Sequence, residues 1–310
     1  MKILVLGAGA IGGYFGGRLA QNGADVAFLV RPARQQQLAQ TGLQIRSQYG
    51  DFSGQVKTIV AEQIRQPWDI ILLACKAYDL DAAIETIAPG VGSQTAVLPL
   101  LNGIAHMERL NEAFGRQQVM GGLAKIVVAL NKQGTVQHLN DWNTITFGEQ
   151  DGSLSERAQR LHGLFPTDSV NALAVSDIQQ RMWEKAVHLS TVAGIASLMR
   201  GSVGEIAAAP GGTALLTEFL HKNAEISTKE GFPISEEFLD EYRNLFKNEE
   251  STYVPSLLRD IERGGRNEGE HILGYMLKTA QKHGLDTALH RLVYMHIRVY
   301  DRRLVTNRLP

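Results

Sequence analysis

The most informative part of the sequence is its first seventeen residues, Met1-Lys-Ile-Leu-Val-Leu-Gly-Ala-Gly-Ala-Ile-Gly-Gly-Tyr-Phe-Gly-Gly17. A short apolar run over residues 3–6 stops at Gly7, and after Gly9 and Gly12 the apolar positions recur at helical spacing. The pattern predicts a strand, a tight turn and a helix. In that context a G-x-G-x-x-G motif indicates a dinucleotide-binding turn.

Each residue of the turn has a separate physical role. Gly7 permits the sharp bend, Gly9 leaves no side chain between backbone and pyrophosphate, and Gly12 lets the helix approach the strand. Ala10 and Ile11 begin the helix, whose N–H groups and dipole would face the phosphates. We therefore predict cofactor binding by these five residues; the alternative is a glycine-rich turn without a ligand.

The first half of the chain has the strand and helix pattern of a Rossmann-type domain. Its predicted strands are 3–6, 25–30, 43–46, 54–60, 68–76 and 95–101. The nearly continuous apolar run at 68–76 is typical of a parallel strand covered on both faces. Extended segments at 124–130, 135–138 and 143–147 predict an antiparallel extension of the sheet, and a helix and a strand up to residue 173 close the domain. We expect an α/β dinucleotide-binding domain over residues 1–174.

From Ser176 onward the pattern is almost entirely helical. A long helix follows Asp177, and later helices are predicted at 212–230, 235–247, 253–263, 268–282 and 287–303. We expect an all-α domain over residues 175–310. Leu292, Val293, Met295 and Ile297 would form either its core or a dimer surface, and we expect a dimer or a monomer–dimer equilibrium.

Composition excludes several classes of function. Among 310 residues, 31 Lys and Arg balance 32 Asp and Glu, which predicts no nucleic-acid or membrane-surface binding. The single cysteine, Cys75, excludes an internal disulfide. The sequence has no Cys/His cluster at zinc-ligand spacing, so we expect no structural metal site. Because the first apolar run is too short for a signal sequence, we expect a cytoplasmic protein.

Positive or amide side chains follow three of the predicted strands. Arg31 stands where an NAD-binding unit would carry an acidic residue, and Arg34 follows, so NADPH is favoured; the alternative is that both begin a solvated helix. Lys76 lies at a strand end and is a second cofactor candidate, or else a surface lysine. Asn102 precedes Gly103, and Asn-Gly is also a common turn dipeptide.

The whole chain resembles the ketopantoate reductase family, whose members reduce a 2-oxo acid to a 2-hydroxy acid with NADPH. The motifs that carry this resemblance are G-A-G-A-I-G-G at 7–13, Arg31, C-K-A-Y at 75–78, L-N-G at 101–103, M-W-E-K at 182–185, S-L-L-R-D-I at 256–261 and N-E at 267–268. The family's fold is a Rossmann-type NADP-binding domain followed by an all-α C-terminal domain of the 6-phosphogluconate dehydrogenase-like type.

The resemblance also implies roles for individual residues. Lys185 matches the family's general acid, and Glu268 matches the acidic residue that orients substrate and assists catalysis. Ser256 corresponds to a contact with the substrate carboxylate, and Asn102 to a residue at the junction of cofactor and substrate. Arg31 corresponds, together with Lys76, to contacts with the adenosine phosphate. Taken without the family, Lys185 is a lysine on an amphipathic helix and Glu268 a favourable helix-start residue.

This chain departs from the family's pattern at three positions. Leu189, Ala193 and Val203 stand where asparagines are expected, so the resemblance implies a drier substrate pocket. Reduction of 2-dehydropantoate (ketopantoate) to pantoate in pantothenate biosynthesis is the first expectation. The alternatives are another branched, aliphatic or aromatic 2-oxo acid, a different dehydrogenase on the same scaffold, or an NADPH-sensing protein without turnover.

Overall fold

The computed structural model describes residues 1–308, whose contacts divide into two compact units. The first holds Met1–Leu101 and His106–Ile178, and the second holds Asn102–Ala105 and the chain from Gln179 onward. Within the described residues, no helix combines the length and apolar composition needed to cross a bilayer.

The first unit contains the strands and five helices. The strands are β1 Lys2–Leu6, β2 Asp25–Leu29, β3 Leu43–Arg46, β4 Phe52–Gly54, β5 Lys57–Ile59, β6 Ile70–Leu73, β7 Ala96–Pro99, β8 Met120–Lys125, β9 Val128–Leu130, β10 Val136–His138, β11 Thr144–Glu149 and β12 Asn171–Ala174. The helices are α1 Ala10–Gln21, α2 Pro32–Thr41, α3 Leu80–Ile87, α4 His106–Phe114 and α5 Glu156–His162.

A five-stranded parallel sheet forms the centre of the first unit, in the order β5-β2-β1-β6-β7. Leu4 of β1 pairs with Ala27 and Ile71, and all three side chains are fully buried. All four residues of β6 are buried as well, which confirms the predicted coverage of both faces. The strand order reverses between β1 and β6, the point at which such sheets bind ligands beyond their carboxyl ends.

The predicted antiparallel extension of this sheet is wrong in its topology. The later strands, together with β3 and β4, form two further sheets, ordered β4-β3-β10-β9 and β12-β11-β8, and each contains one parallel pair. The single strand predicted at 54–60 is also wrong, because Gly54 ends β4 in one sheet and Lys57 begins β5 in another. The apolar pattern continues from β4 into β5 without a break. It does not indicate which strand each of the two pairs with.

The second unit is helical, as predicted. Its helices are α6 Ile178–Met199, α7 Val203–Ala208, α8 Gly212–Lys229, α9 Glu236–Leu245, α10 Ser256–Glu262, α11 Tyr275–Lys282 and α12 Ala288–Val305, with a π-helical turn at Glu270–Gly274 before α11. On α12, Val293 and Ile297 are buried in the core, whereas Leu292 and Met295 are exposed. The four apolar residues considered together in the sequence therefore divide between core and surface.

Candidate functional site

The glycine-rich turn lies at the carboxyl end of the central strand. Gly7 follows β1 with φ 90°, a left-handed conformation that favours glycine, and its N–H donates to the Leu29 carbonyl at 2.9 Å. Gly9 is the N-cap of α1, and Ala10 and Ile11 are its first helical residues. The first N–H groups of the helix have no partners within it and are available to a ligand.

Gly9 and Gly12 differ in the space that surrounds them. A Cβ at Gly12 would lie 2.2 Å from the Gly7 carbonyl oxygen and 3.3 Å from the Cβ of Ala74, so helix and strand are too close for a side chain. A Cβ at Gly9 would meet no atom of residues 1–308 within 4 Å, its two chain neighbours apart. The open space at Gly9 suits a pyrophosphate against the backbone, and the residues present therefore fit a dinucleotide.

The two arginines after β2 differ in exposure and in hydrogen bonding. Arg31 is exposed and precedes α2 as its N-cap, so its guanidinium is accessible to a ligand. Arg34 is half-buried, and its Nη2 donates to the Ala8 carbonyl at 3.0 Å, inside the glycine turn. Arg34 is thus bonded to the turn itself, a role that the sequence pattern did not indicate.

Lys76 and Asn102 follow β6 and β7, as expected. Lys76 is exposed, and its backbone carbonyl accepts from Asp79 N–H at 2.9 Å in a short helical turn. Asn102 is half-buried, and the next residue, Gly103, has φ 76°, so the Asn-Gly pair does form a turn. The segment Asn102–Ala105 belongs to the second unit, in which a Cβ at Gly103 would lie 3.2 Å from His271 Cδ2.

Lys185 and Glu268 interact electrostatically within the second unit. Burial lowers the pKa of Lys185 to about 8, and the Glu268 carboxylate acts in the opposite direction. Lys185 still keeps part of its surface accessible, whereas Glu268 is only 5% exposed. A lysine with a pKa near neutrality beside a buried carboxylate can hold a proton and release it to a developing oxyanion.

Local structure fixes the position of Glu268. The Asn267 side chain accepts from Gly269 N–H at 2.8 Å and donates to Asp301 of α12 at 2.8 Å, which anchors the start of the helical segment. The π-helical turn follows directly and contains His271. Burial lowers the pKa of His271, and the charge of Glu268 opposes this effect only in part. The sequence pattern predicts a helix over 268–282 but does not single out His271.

The remaining substrate candidates also lie in the second unit. Ser256 begins α10 and is half-buried. Leu189 and Ala193 follow Lys185 by one and two turns of α6, and they are 8% and 0% exposed. Val203, at the start of α7, is 0% exposed, and its N–H donates to the Tyr253 carbonyl at 3.0 Å. All three departures from the family pattern belong to one apolar cluster.

Two family models match most of the chain. One described as Ketopantoate reductase PanE/ApbA matches residues 3–152, and one described as Ketopantoate reductase PanE/ApbA C terminal matches residues 177–301. Between them they cover both the glycine turn and the segment that holds Lys185 and Glu268.

Individual relatives align over nearly their full lengths. An uncharacterized oxidoreductase of Bacillus subtilis is 34% identical over 97% of this chain and 99% of its own. The 2-dehydropantoate 2-reductase of Archaeoglobus fulgidus is 28% identical over 96% and 97% of the two chains. The crystal structure of 2-dehydropantoate 2-reductase from Geobacter metallireducens has a TM-score of 0.86 at 27% identity, covering 96% of this chain and 99% of that one. The likeness in structure confirms the predicted fold: a Rossmann-type domain followed by a helical one.

Proposed function

The chain belongs to the ketopantoate reductase family of oxidoreductases, and on that premise we propose that it reduces a 2-oxo acid to a 2-hydroxy acid with NADPH. The observation that supports this most directly is the pKa of Lys185, lowered to about 8 beside the carboxylate of Glu268. A sensor of NADPH would not need a proton donor of this kind. In this proposal residues 1–174 bind the cofactor, and residues 175–310 supply the catalytic groups.

The proposed cofactor contacts come from the first unit, apart from Asn102. The glycine turn, with Gly7, Gly9 and Gly12, accepts the pyrophosphate on the N-terminus of α1. Arg31 and Lys76 are exposed cations at the carboxyl ends of β2 and β6, and both would contact the phosphate that distinguishes NADPH from NADH. Asn102 would hold the nicotinamide end. The bound nicotinamide supplies the hydride.

The proposed proton transfer belongs to Lys185. As hydride reaches the substrate carbonyl carbon, negative charge develops on the oxygen, and the Lys185 ammonium stabilises it and donates the proton. Glu268 orients the substrate and keeps Lys185 protonated through its opposite charge. Ser256 would donate a hydrogen bond to the substrate carboxylate. General acid catalysis of this kind is worth roughly 10²- to 10⁴-fold in rate.

The proposed substrate is 2-dehydropantoate, reduced to pantoate for pantothenate biosynthesis, since relatives over the full chain carry that activity. A second candidate is a 2-oxo acid with an apolar side chain. It is favoured by Leu189, Ala193 and Val203, which add no hydrogen-bonding group to the apolar cluster near Lys185. The proposal also places the protein in the cytoplasm.

A homodimer is part of the proposal. Leu292 and Met295 lie three residues apart on α12 and are 45% and 57% exposed, which suits an apolar contact between copies.

The test is NADPH oxidation by the purified protein against 2-dehydropantoate and a panel of apolar 2-oxo acids. Lys185→Ala is assayed in parallel, with Lys229→Ala as a control because Lys229 is an exposed lysine on α8. We expect turnover that Lys185→Ala loses and Lys229→Ala keeps. Turnover of apolar acids alone would reassign the substrate, whereas NADPH binding without turnover of any acid would refute the reductase and support a sensor.

A further inference from the structure

Arg34, on the first turn of α2, joins three segments of the first unit. Its Nη2 donates to two backbone carbonyls, that of Ala8 in the glycine turn and that of Gly134 in the hairpin between β9 and β10, each at 3.0 Å. Its Nη1 donates to Gln37 Oε1 at 2.6 Å, on the next turn of α2. One guanidinium therefore connects the glycine turn, α2 and the hairpin.

The hairpin is built to receive this guanidinium. Gly134 has φ 84°, its N–H donates to the Asn131 carbonyl at 3.0 Å, and Gln37 Nε2 donates to the Gln133 carbonyl at 2.9 Å. A Cβ at Gly134 would lie 2.3 Å from Arg34 Nη1. Any side chain at Gly134 would consequently displace the guanidinium.

Holding Arg34 in this place has a cost. Its Nε is buried and has no hydrogen-bond partner among residues 1–308, although buried donors are normally satisfied. Burial also lowers the pKa of its guanidinium, because the charged form loses solvation. A cation kept half-buried at such a cost, against the carbonyl of a ligand-binding turn, indicates a role in that turn.

Peptide geometry says what the role is. The Ala8 carbonyl belongs to the same planar, trans peptide as the Gly9 N–H, so the two groups point in opposite directions. The hydrogen bond from Arg34 to the Ala8 carbonyl thereby fixes the direction of the Gly9 N–H. In a glycine-rich turn the backbone N–H groups form the cradle for the pyrophosphate.

We propose that Arg34 is a positioning residue for the coenzyme, which locks the Ala8–Gly9 peptide in the orientation that receives the pyrophosphate. The inference rests on the dinucleotide binding of the proposed function. It does not depend on the choice between NADPH and NADH, because both carry the same pyrophosphate. Arg31, in contrast, is proposed to contact the phosphate that only NADPH carries.

The test compares dissociation constants for NADPH and NADH in five proteins: the parent, Arg34→Gln, Gly134→Ala, Gly23→Ala and Arg31→Gln. Coenzyme binding is titrated by calorimetry, and thermal unfolding is recorded for each protein. Gly23→Ala is the matched control, because Gly23 has φ 82° and a Cβ there would meet no atom of the described part of the chain within 4 Å, its two chain neighbours apart. It therefore carries the backbone strain of Gly134→Ala without touching Arg34.

We expect Arg34→Gln and Gly134→Ala to weaken both coenzymes by the same factor, on the order of tenfold or more, since each removes a hydrogen bond with a charged donor. Gly23→Ala should bind both coenzymes like the parent, and Arg31→Gln should weaken NADPH alone. Agreement between Arg34→Gln and Gly134→Ala would identify the contact itself as the cause.

Three results would overturn the inference. Weakening of NADPH but not of NADH by Arg34→Gln would make Arg34 a phosphate contact. If Arg34→Gln and Gly134→Ala both bind the coenzymes as tightly as the parent but unfold at a lower temperature, Arg34 has a purely structural role. A parent that binds neither coenzyme would refute the proposed function, and the inference with it.

Discussion

Replacement of Glu268 by Gln should move the alkaline limit of activity to lower pH. In the proposed reaction Lys185 must carry its proton to act as the acid, so we expect kcat/KM to fall as pH rises through the pKa of Lys185, about 8 in this structure. Two causes set that pKa: burial lowers it, and the charge of Glu268 raises it by a smaller amount. Glu268→Gln keeps the size of the side chain and removes only the charge, so burial then acts unopposed.

The magnitude follows from the same two causes. A pKa lowered from 10.5 to about 8 corresponds to about 3 kcal/mol against the charged form, and this is an upper limit because Lys185 is partly accessible to water. A carboxylate close to an ammonium typically raises its pKa by about one unit or more. If the loss is one unit, the protonated fraction of Lys185 at pH 8 falls roughly fivefold, from about a half to about a tenth.

The assay is kcat/KM for the preferred 2-oxo acid as a function of pH, between about pH 6 and 10, for the parent, Glu268→Gln and Lys185→Arg. Glu268 is also proposed to orient substrate, so we expect a lower absolute rate in Glu268→Gln, and the position of the alkaline limb is the quantity compared. Lys185→Arg stays charged throughout this range and should show no such limb. An alkaline limb that stays in place or moves to higher pH in Glu268→Gln would refute the coupling of the two groups.

Two further predictions concern stability. Gly12→Ala should lower the free energy of unfolding by about 2 kcal/mol, because its Cβ would lie 2.2 Å from the Gly7 oxygen, whereas Gly9→Ala should unfold like the parent and bind coenzyme more weakly. Denaturant titration and coenzyme binding separate the two variants, and equal losses of stability would contradict the geometry. Burial lowers the pKa of His290 to about 4, so between pH 6.5 and 4 the unfolded chain binds a proton at this residue that the folded protein does not. The free energy of unfolding therefore falls as pH falls through that window, by up to about 3 kcal/mol. His290→Gln should lack this part of the acid sensitivity in urea titrations at pH 7 and at about pH 4.5; an unchanged pH dependence would exclude His290 as its source.

Several helices and strands could be predicted from pattern, and others could not. The sequence predicts strands β1 and β6 because each is a short run of buried apolar residues, and it predicts the long helices of the second unit from apolar positions along them. Helix α4 was missed, and so was α7, although Ser202 and Glu205 form a capping box there, with Ser202 N–H donating to Glu205 Oε2 at 2.7 Å. The S-x-x-E signal at 202–205 was present in the sequence, and α7 is too short to add a periodic one.

The glycine-rich turn follows from the sequence alone, because Gly7 meets a local demand of backbone conformation and Gly12 a local demand of close approach. Only the tertiary structure decided what surrounds the candidate catalytic groups. Lys185 and Glu268 lie 83 positions apart in the sequence, and the burial that lowers the Lys185 pKa comes from side chains packed together by folding. The same holds for Arg34, whose bond to Gly134 spans 100 positions and leaves no trace in the spacing of residues along the chain. Hydrogen bonds and desolvation act between neighbours in space, and a linear pattern records only neighbours in sequence.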